Sequence, residues 1–316
     1  MLFQSYINNL LKNLPKRDKP IVIDLVMDGG LFNGSYLVGC LYFLKTLEKI
    51  NYVKIKRISG SSVGAAVGLL YILDKLDVSQ KINNSVIKQL KKTNKISVIK
   101  NLKTLIFEDK KITEKESKII LEKVNNYLYV SYHKKSTKNM CFKKITKHKY
   151  RTIDELFDYI LRSCFVPYLI DGNMLYKNKY IDGLTPYIFD FKKNRKILYL
   201  NLCDSDKLLY MIHIKNEKSD YHRIITGLLD IHLFFIKNST TSICSYVNNW
   251  TIINKCNNQY RKYIFEYIVI SILSFAIYFN KNYISKTKSK EIQFLIKIGK
   301  DIIIYFYKCI LKKCIK

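Results

Sequence analysis

The chain predicts an α/β fold built on a mainly parallel sheet, and three observations carry that prediction. Residues 21–27, IVIDLVM, are β-branched and apolar and run straight into Asp28-Gly29-Gly30. A short apolar run closed by a glycine turn reads as a buried strand. Residues 34–50, GSYLVGCLYFLKTLEKI, then set Tyr36, Leu37, Cys40, Leu41, Leu44 and Leu47 at helical spacing. A second strand-like run, YVKIKRI at 52–58, leads through a Gly-Ser turn into a small-residue helix from Ala65 to Leu76. Strand, glycine loop, helix, strand, turn, helix is a βαβα order, from which parallel strands joined by crossover helices follow.

Further along, residues 77–126 are lysine-rich and weakly periodic, and read as helices and loops over one edge of the domain. YLYVSY (127–132), a turn and MCFKKI (140–145) predict a hairpin. Thr152-Ile153-Asp154-Glu155 has the spacing of a capping box and opens a helix to about Arg162. KILYLNLC (196–203) returns to a strand after the irregular stretch 162–186. The boundaries expected are a catalytic domain over 15–210 and a helical region over 211–316, packing on it or on a membrane. Within that region YIVISILSFAIYF (267–279) is uncharged, but short of the ~20 apolar residues a bilayer span needs. A buried or an interfacial helix is expected there. The last segment, with Ile292, Leu295, Ile303, Phe306 and Ile310 opposite Lys297, Asp301, Lys308 and Lys312, is amphipathic.

Composition narrows the class. Hydrophobic residues make up 48% of the 316, which excludes wholesale disorder. The net charge of +30 suits an anionic membrane surface. A nucleic-acid partner is disfavoured, because no zinc-finger or RNP-type signature accompanies the charge. Eight cysteines form no C-x-x-C pair or zinc-like grouping, and read as reduced, mostly buried thiols. The N-terminal MLFQSYINNLLKNLPKRDKP lacks a continuous apolar core and a small-residue cleavage site. It reads as a short amphipathic helix rather than a signal peptide, in an intracellular, cytoplasmic or peripherally membrane-bound protein.

Gly60-Ser61-Ser62-Val63-Gly64 is G-x-S-x-G, the spacing of a nucleophile elbow, with Ser62 at its apex. Asp28-Gly29-Gly30-Leu31-Phe32-Asn33-Gly34 lies between a strand and a helix, where unpaired amides converge on one spot and suit an anion or oxyanion. Asp182-Gly183 follows the strand-like Lys179-Tyr180-Ile181. A nucleotide site is disfavoured, since Leu31 breaks G-x-G-x-x-G and no G-K-[ST] is present.

Together these resemble the patatin-like phospholipases, relatives of cytosolic phospholipase A2, whose catalytic domains carry G-G-G-x-[RK]-G, G-x-S-x-G and D-G-[GA] in this order. Here they stand as GGLFNG (29–34), GSSVG (60–64) and DGL (182–184). Ser163-Cys164-Phe165-Val166-Pro167 also matches the family's S-x-x-x-P segment, and the likeness extends over about 20–205. The resemblance implies a three-layer α/β/α domain and a serine lipid acyl-ester hydrolase, acting on phospholipid or lysophospholipid with no metal or other cofactor. It implies Ser62 as nucleophile, Asp182 as its base in a histidine-free dyad, and the amides of Gly29, Gly30, Leu31 and Gly34 as oxyanion donors. Since an ordinary aspartate has a pKa near 3.9, such a base needs a sheltered site.

Three positions depart from the pattern. Leu31 replaces a glycine and still offers its amide unless the backbone there needs positive φ. Asn33 replaces an Arg or Lys and removes a cation that would hold the loop. Leu184 replaces the last glycine of D-G-G. A catalytically weakened lipid-binding protein is the alternative these departures support. The rival chemistry is a triad with His213, His222 or His232 as base, which chain order permits but no flanking motif supports. Asp171 is the competing aspartate, and reads as a hairpin corner.

Overall fold

The computed structural model describes residues 2–108, 110–136, 141–203, 207 and 219–279. Along the chain lie α1 (Leu2–Leu11), β1 (Ile21–Met27), α2 (Gly34–Lys49), β2 (Val53–Ser61) and α3 (Val63–Ile72). Then come α4 (Val78–Thr93), α5 (Leu102–Phe107), α6 (Glu114–Val124), β3 (Leu128–Lys135), β4 (Phe142–Lys147) and α7 (Ile153–Ser163). The remainder comprises β5 (Tyr180–Ile181), β6 (Lys196–Leu200), α8 (Tyr221–Lys237), β7 (Cys244–Tyr246), α9 (Ile252–Lys255) and α10 (Arg261–Phe279).

Among the described residues the strands form one sheet in the order β4-β3-β2-β1-β6-β7, with β5 also paired to β3. The central pairs β3–β2, β2–β1 and β1–β6 are parallel, and β3–β4, β3–β5 and β6–β7 are antiparallel. This is the expected α/β class, a mostly parallel central sheet flanked by helices. β1 is apolar except for Asp24, because both of its faces are covered, and buried Asp24 is paired with Arg57 on β2. Ile23, Leu25 and Met27 enter the main core, which they share with α2, α3, α7 and α8. Val26 points the other way, into a smaller cluster with Ile197, Tyr199, Phe189 and Trp250.

Local signals do what they predicted. The Thr152 hydroxyl accepts from the Glu155 amide at 3.1 Å and starts α7. The hairpin appears as β3 and β4. Cys40, Cys164 and Cys244 are buried, whereas Cys141 and Cys256 are exposed. Two findings differ from expectation. β7, at 244–246, carries the sheet beyond residue 210 into a stretch expected to be helical. The helix expected over 267–279 exists within α10, and of its two expected settings the buried one is not met, since Tyr267, Ile268, Ile272 and Phe275 are exposed. The amphipathic segment after residue 290 lies outside the described residues.

Parallel pairing sets the functional edge. Met27 is level with Gly60 on β2 and Leu200 on β6, and Ser61 is level with Ser131 on β3. The turns that leave the carboxyl ends of β1 and β2 are therefore neighbours, the usual location of ligand sites in open α/β sheets. β5 pairs Ile181 with His133, which delivers Asp182 to the same edge.

Candidate active site

Ser62 caps the turn from β2 into α3 with φ 51° and ψ −128°. A non-glycine residue in so sparsely populated a region is strained, and such strain persists only where the surroundings impose it. The surroundings are close-packed: a Cβ at Gly64 would lie 2.5 Å from the main-chain oxygen of Asp28. The Ser62 amide donates to the Ser163 hydroxyl at 2.9 Å, and Ser163 in turn donates to the Ser131 carbonyl at 2.6 Å. Ser163, the first residue of the S-x-x-x-P segment, is thus a strut under the elbow.

The same segment carries Asp182. The Asp182 amide donates to Phe165 O at 3.0 Å and the Gly183 amide to Ser163 O at 3.2 Å. A Cβ at Gly183 would fall 2.1 Å from Ser131 O, so only glycine lets the loop lie this close to β3. Asp182 Oδ1 accepts from the Leu184 amide at 2.7 Å. Oδ2 is buried and has no partner at hydrogen-bond geometry. Burial pushes the Asp182 pKa up to about 6, against the opposing pull of the Ser62 hydroxyl, the Leu184 amide and His133. Ser62 and Asp182 are both buried and close enough to influence each other, without a formed hydrogen bond between them. Catalytic contacts commonly tighten only when substrate binds. Burial thereby makes this carboxylate more basic than an exposed one.

The glycine loop lies against the elbow, and a Cβ at Gly29 would lie 3.1 Å from Ser62 Cβ. Asn33 N donates to Gly30 O at 2.8 Å and Gly34 N to Leu31 O, so the end of the loop is a tight helical turn. Gly34 was expected among the oxyanion donors, but its amide is engaged in that turn. Among the described residues, the amides of Gly29, Gly30 and Leu31 meet no acceptor. Three adjacent unpaired N–H groups beside a serine form a concentrated donor site.

The departures from the family pattern have structural consequences. Leu31 has φ 44° and Leu184 has φ 54°. Both replacements of glycine therefore stand where the backbone is left-handed, and a leucine Cβ is strained there by about 1–2 kcal/mol. Asn33 is buried and donates to the carbonyls of Leu202 and Lys207, both at 3.1 Å. The loop nevertheless has a cation. Arg223, buried on α8, donates to Phe32 O at 3.1 Å and to Asn33 Oδ1 at 2.9 Å.

An apolar cavity of about 120 Å³ opens beside Ser62, lined among others by Leu31, Phe32, Val63, Val67, Val86 and Ile99. An engineered apolar cavity of roughly 150 Å³ holds a benzene-sized guest, so this one suits the first few carbons of an alkyl chain.

The histidine alternatives fare as follows. His213 lies outside the described residues. His222 is exposed, and His232 bonds the Leu10 carbonyl at 3.0 Å and packs on Phe43. The histidine that does approach is His133, whose Nδ1 lies 2.8 Å from Asp182 O and whose Nε2 lies 2.9 Å from Glu266. It supports the main chain of Asp182 rather than Ser62. Nothing in the lysine-rich run around it marked it out. Asp171 forms its hairpin corner, accepting from Asn173 N at 2.9 Å and pairing with Lys100. Among the described residues, no group of three or more His, Cys, Asp or Glu side chains could hold a metal.

A mostly parallel α/β sheet, a strained serine at a strand-to-helix turn, and a glycine loop with unpaired amides together form a nucleophile-elbow arrangement. The sequence model described as patatin-like phospholipase matches residues 25–185, and the chain belongs to that family. A search of curated proteins gave no match. Among solved structures the chain is similar to the heterodimeric complex ExoU-SpcU from the type III secretion system of Pseudomonas aeruginosa, at 14% identity and a TM-score of 0.39. That similarity covers 72% of this chain and 53% of the other, so the chain spans about half the length of its structural neighbour.

Proposed function

We propose that the protein hydrolyses an acyl ester of a phospholipid or lysophospholipid through a Ser62–Asp182 dyad, at a membrane surface. Family membership supports a lipid hydrolase in general. The observation that carries the finer reading is the pairing of a strained elbow serine with a buried aspartate whose pKa is raised to about 6. Ser62 Oγ attacks the ester carbonyl as Asp182 takes its proton. The unpaired amides of Gly29, Gly30 and Leu31 receive the oxyanion, and the alkyl chain enters the apolar cavity. Asp182 returns the proton to the departing alkoxide. Water, activated by the same carboxylate, then releases the fatty acid from the acyl-serine.

The test is release of free fatty acid from lysophosphatidylcholine micelles and phosphatidylcholine vesicles. Release by the wild type that Ser62→Ala abolishes supports the reading. Binding of these lipids without release supports the second reading, a weakened lipid-binding protein, which the left-handed Leu31 and Leu184 favour.

A further inference from the structure

The helix α10 has two unlike sides. Lys262 and Glu266 are four residues apart and face the body of the protein. Buried Lys262 donates to Asp28, to Tyr199 Oη at 3.1 Å and to Asn201 Oδ1 at 2.8 Å. Asp28 immediately precedes the glycine loop. Glu266 accepts from Lys144 at 3.0 Å, from Thr185, and pairs with the His133 that bonds Asp182 O. Burial acts to raise the Glu266 pKa, but His133, Lys144 and Thr185 together hold it below the ordinary value. One turn of α10 thus holds both loops of the candidate site.

The opposite side carries Ile264, Phe265, Ile268 and Ile272, which are 61%, 62%, 48% and 62% exposed. Their spacing makes one stripe along the helix. A contiguous apolar face open to water marks a binding surface. Lys144 lies 5.7 Å from the ring of Tyr263 on α10, and so joins this helix to the β3–β4 hairpin. There Lys134, Lys135, Lys143 and Lys179 line one open cleft. Among the described residues, none of these four pairs with a carboxylate. The helix that carries the apolar stripe is therefore joined, through the Glu266–Lys144 pair, to a cleft that Lys144 lines together with these four lysines.

We propose that this face docks on an anionic lipid surface. The stripe enters the headgroup–acyl boundary, and the lysine cleft meets lipid phosphates. The proposal rests on the hydrolase reading and names the surface that brings substrate to it. Apolar and cationic groups in this arrangement fit an interfacial helix lying in the membrane plane. No helix among the described residues is long and apolar enough to cross a bilayer. Because α10 is pinned to Asp28 and to the Asp182 loop, docking through it presents both loops to the lipid.

The experiment uses full-length Ser62→Ala, which binds without turnover, and vesicles of phosphatidylcholine alone or mixed equally with phosphatidylserine. The expected result is co-sedimentation with the mixed vesicles that weakens with salt. Ile264→Ser/Ile268→Ser/Ile272→Ser and, separately, Lys134→Glu/Lys143→Glu should each lower it by more than about tenfold. Phe265→Trp should shift its emission to the blue on the same vesicles. With Ser62 intact, the triple serine variant should keep cleaving a soluble short-chain ester while losing hydrolysis of vesicle lipid. Unchanged vesicle binding in both variant sets overturns the proposal. So does loss of self-association by light scattering with vesicle binding retained, since a second copy would then cover the stripe. A fall of several degrees in the lipid-free melting temperature of the triple variant also overturns it, since the chain itself would then cover the stripe. Vesicle binding as expected, without cleavage of any ester by the wild type, leaves the docking surface standing and removes the hydrolase reading.

Discussion

Leu184 donates its amide to the carboxylate of Asp182 at 2.7 Å, and it reaches that position with φ 54°, a left-handed conformation. The hydrogen bond orients the aspartate, and the strain is what the position demands of a residue with a Cβ. At an ordinary strand or helix position alanine is more stable than glycine. At 184 the order should invert, with Leu184→Gly more stable than Leu184→Ala by about 1 kcal/mol. Urea unfolding of the two variants measures it. The same inversion is expected at Leu31, whose φ is 44°.

Asp182 should weaken the fold that it serves. Its folded pKa of about 6 lies above the ordinary 3.8, so the native state favours the protonated form. Well below pH 3.8 both states are protonated and nothing is lost. Between pH 3.8 and about 6 the unfolded chain ionises while the buried carboxyl stays protonated, so stability falls, by up to about 3 kcal/mol at 1.36 kcal/mol per pKa unit, and levels off above pH 6. Asp182→Asn should therefore melt above the wild type at pH 7, match it near pH 3.5, and be inactive. Thermal scans across that range check the sign.

The same group sets an acid limb on activity. A base must be unprotonated, so kcat/KM should rise with pH to about 6 and then level off. An initial-rate profile with a soluble ester tests this without the complication of lipid binding.

Arg223 holds the glycine loop from α8 through Phe32 O and Asn33 Oδ1. Arg223→Met leaves both acceptors buried and unpaired, and should lower stability by about 2 kcal/mol or more. Arg223→Lys keeps the charge but loses the planar fork, so a fall in kcat at nearly constant KM is expected. Steady-state kinetics separate the two effects.

Ser163 ties the elbow to β3 through two hydrogen bonds. Ser163→Ala strands the Ser62 amide and the Ser131 carbonyl, for about 1–3 kcal/mol of lost stability in chemical unfolding.

What was legible in the sequence was local. The βαβα order, the capping box at Thr152, the elbow at Ser62 and the Asp182 turn each leave a pattern within a few residues. The supports do not. Ser163 meets Ser62, Arg223 meets Phe32, and Lys262 meets Asp28 across long stretches of chain, where no spacing signals the partner. The loop backbone was legible only in part. Leu31 and Leu184 stood out as departures from a glycine pattern, but that both positions are left-handed is visible only in the structure. Gly34 looked equivalent to its neighbours until the turn engaged its amide. β7 is too short, and α10 too uniformly apolar, for periodicity to say which face turns outward.

The central claim is that Ser62 is an activated nucleophile with Asp182 as its base. The most direct measurement is labelling of the full-length protein by a fluorophosphonate, located by peptide mass mapping. The account predicts one adduct, on Ser62, absent in Ser62→Ala and formed much more slowly in Asp182→Asn. Labelling at another residue, or at Ser62 with equal speed in Asp182→Asn, would contradict it.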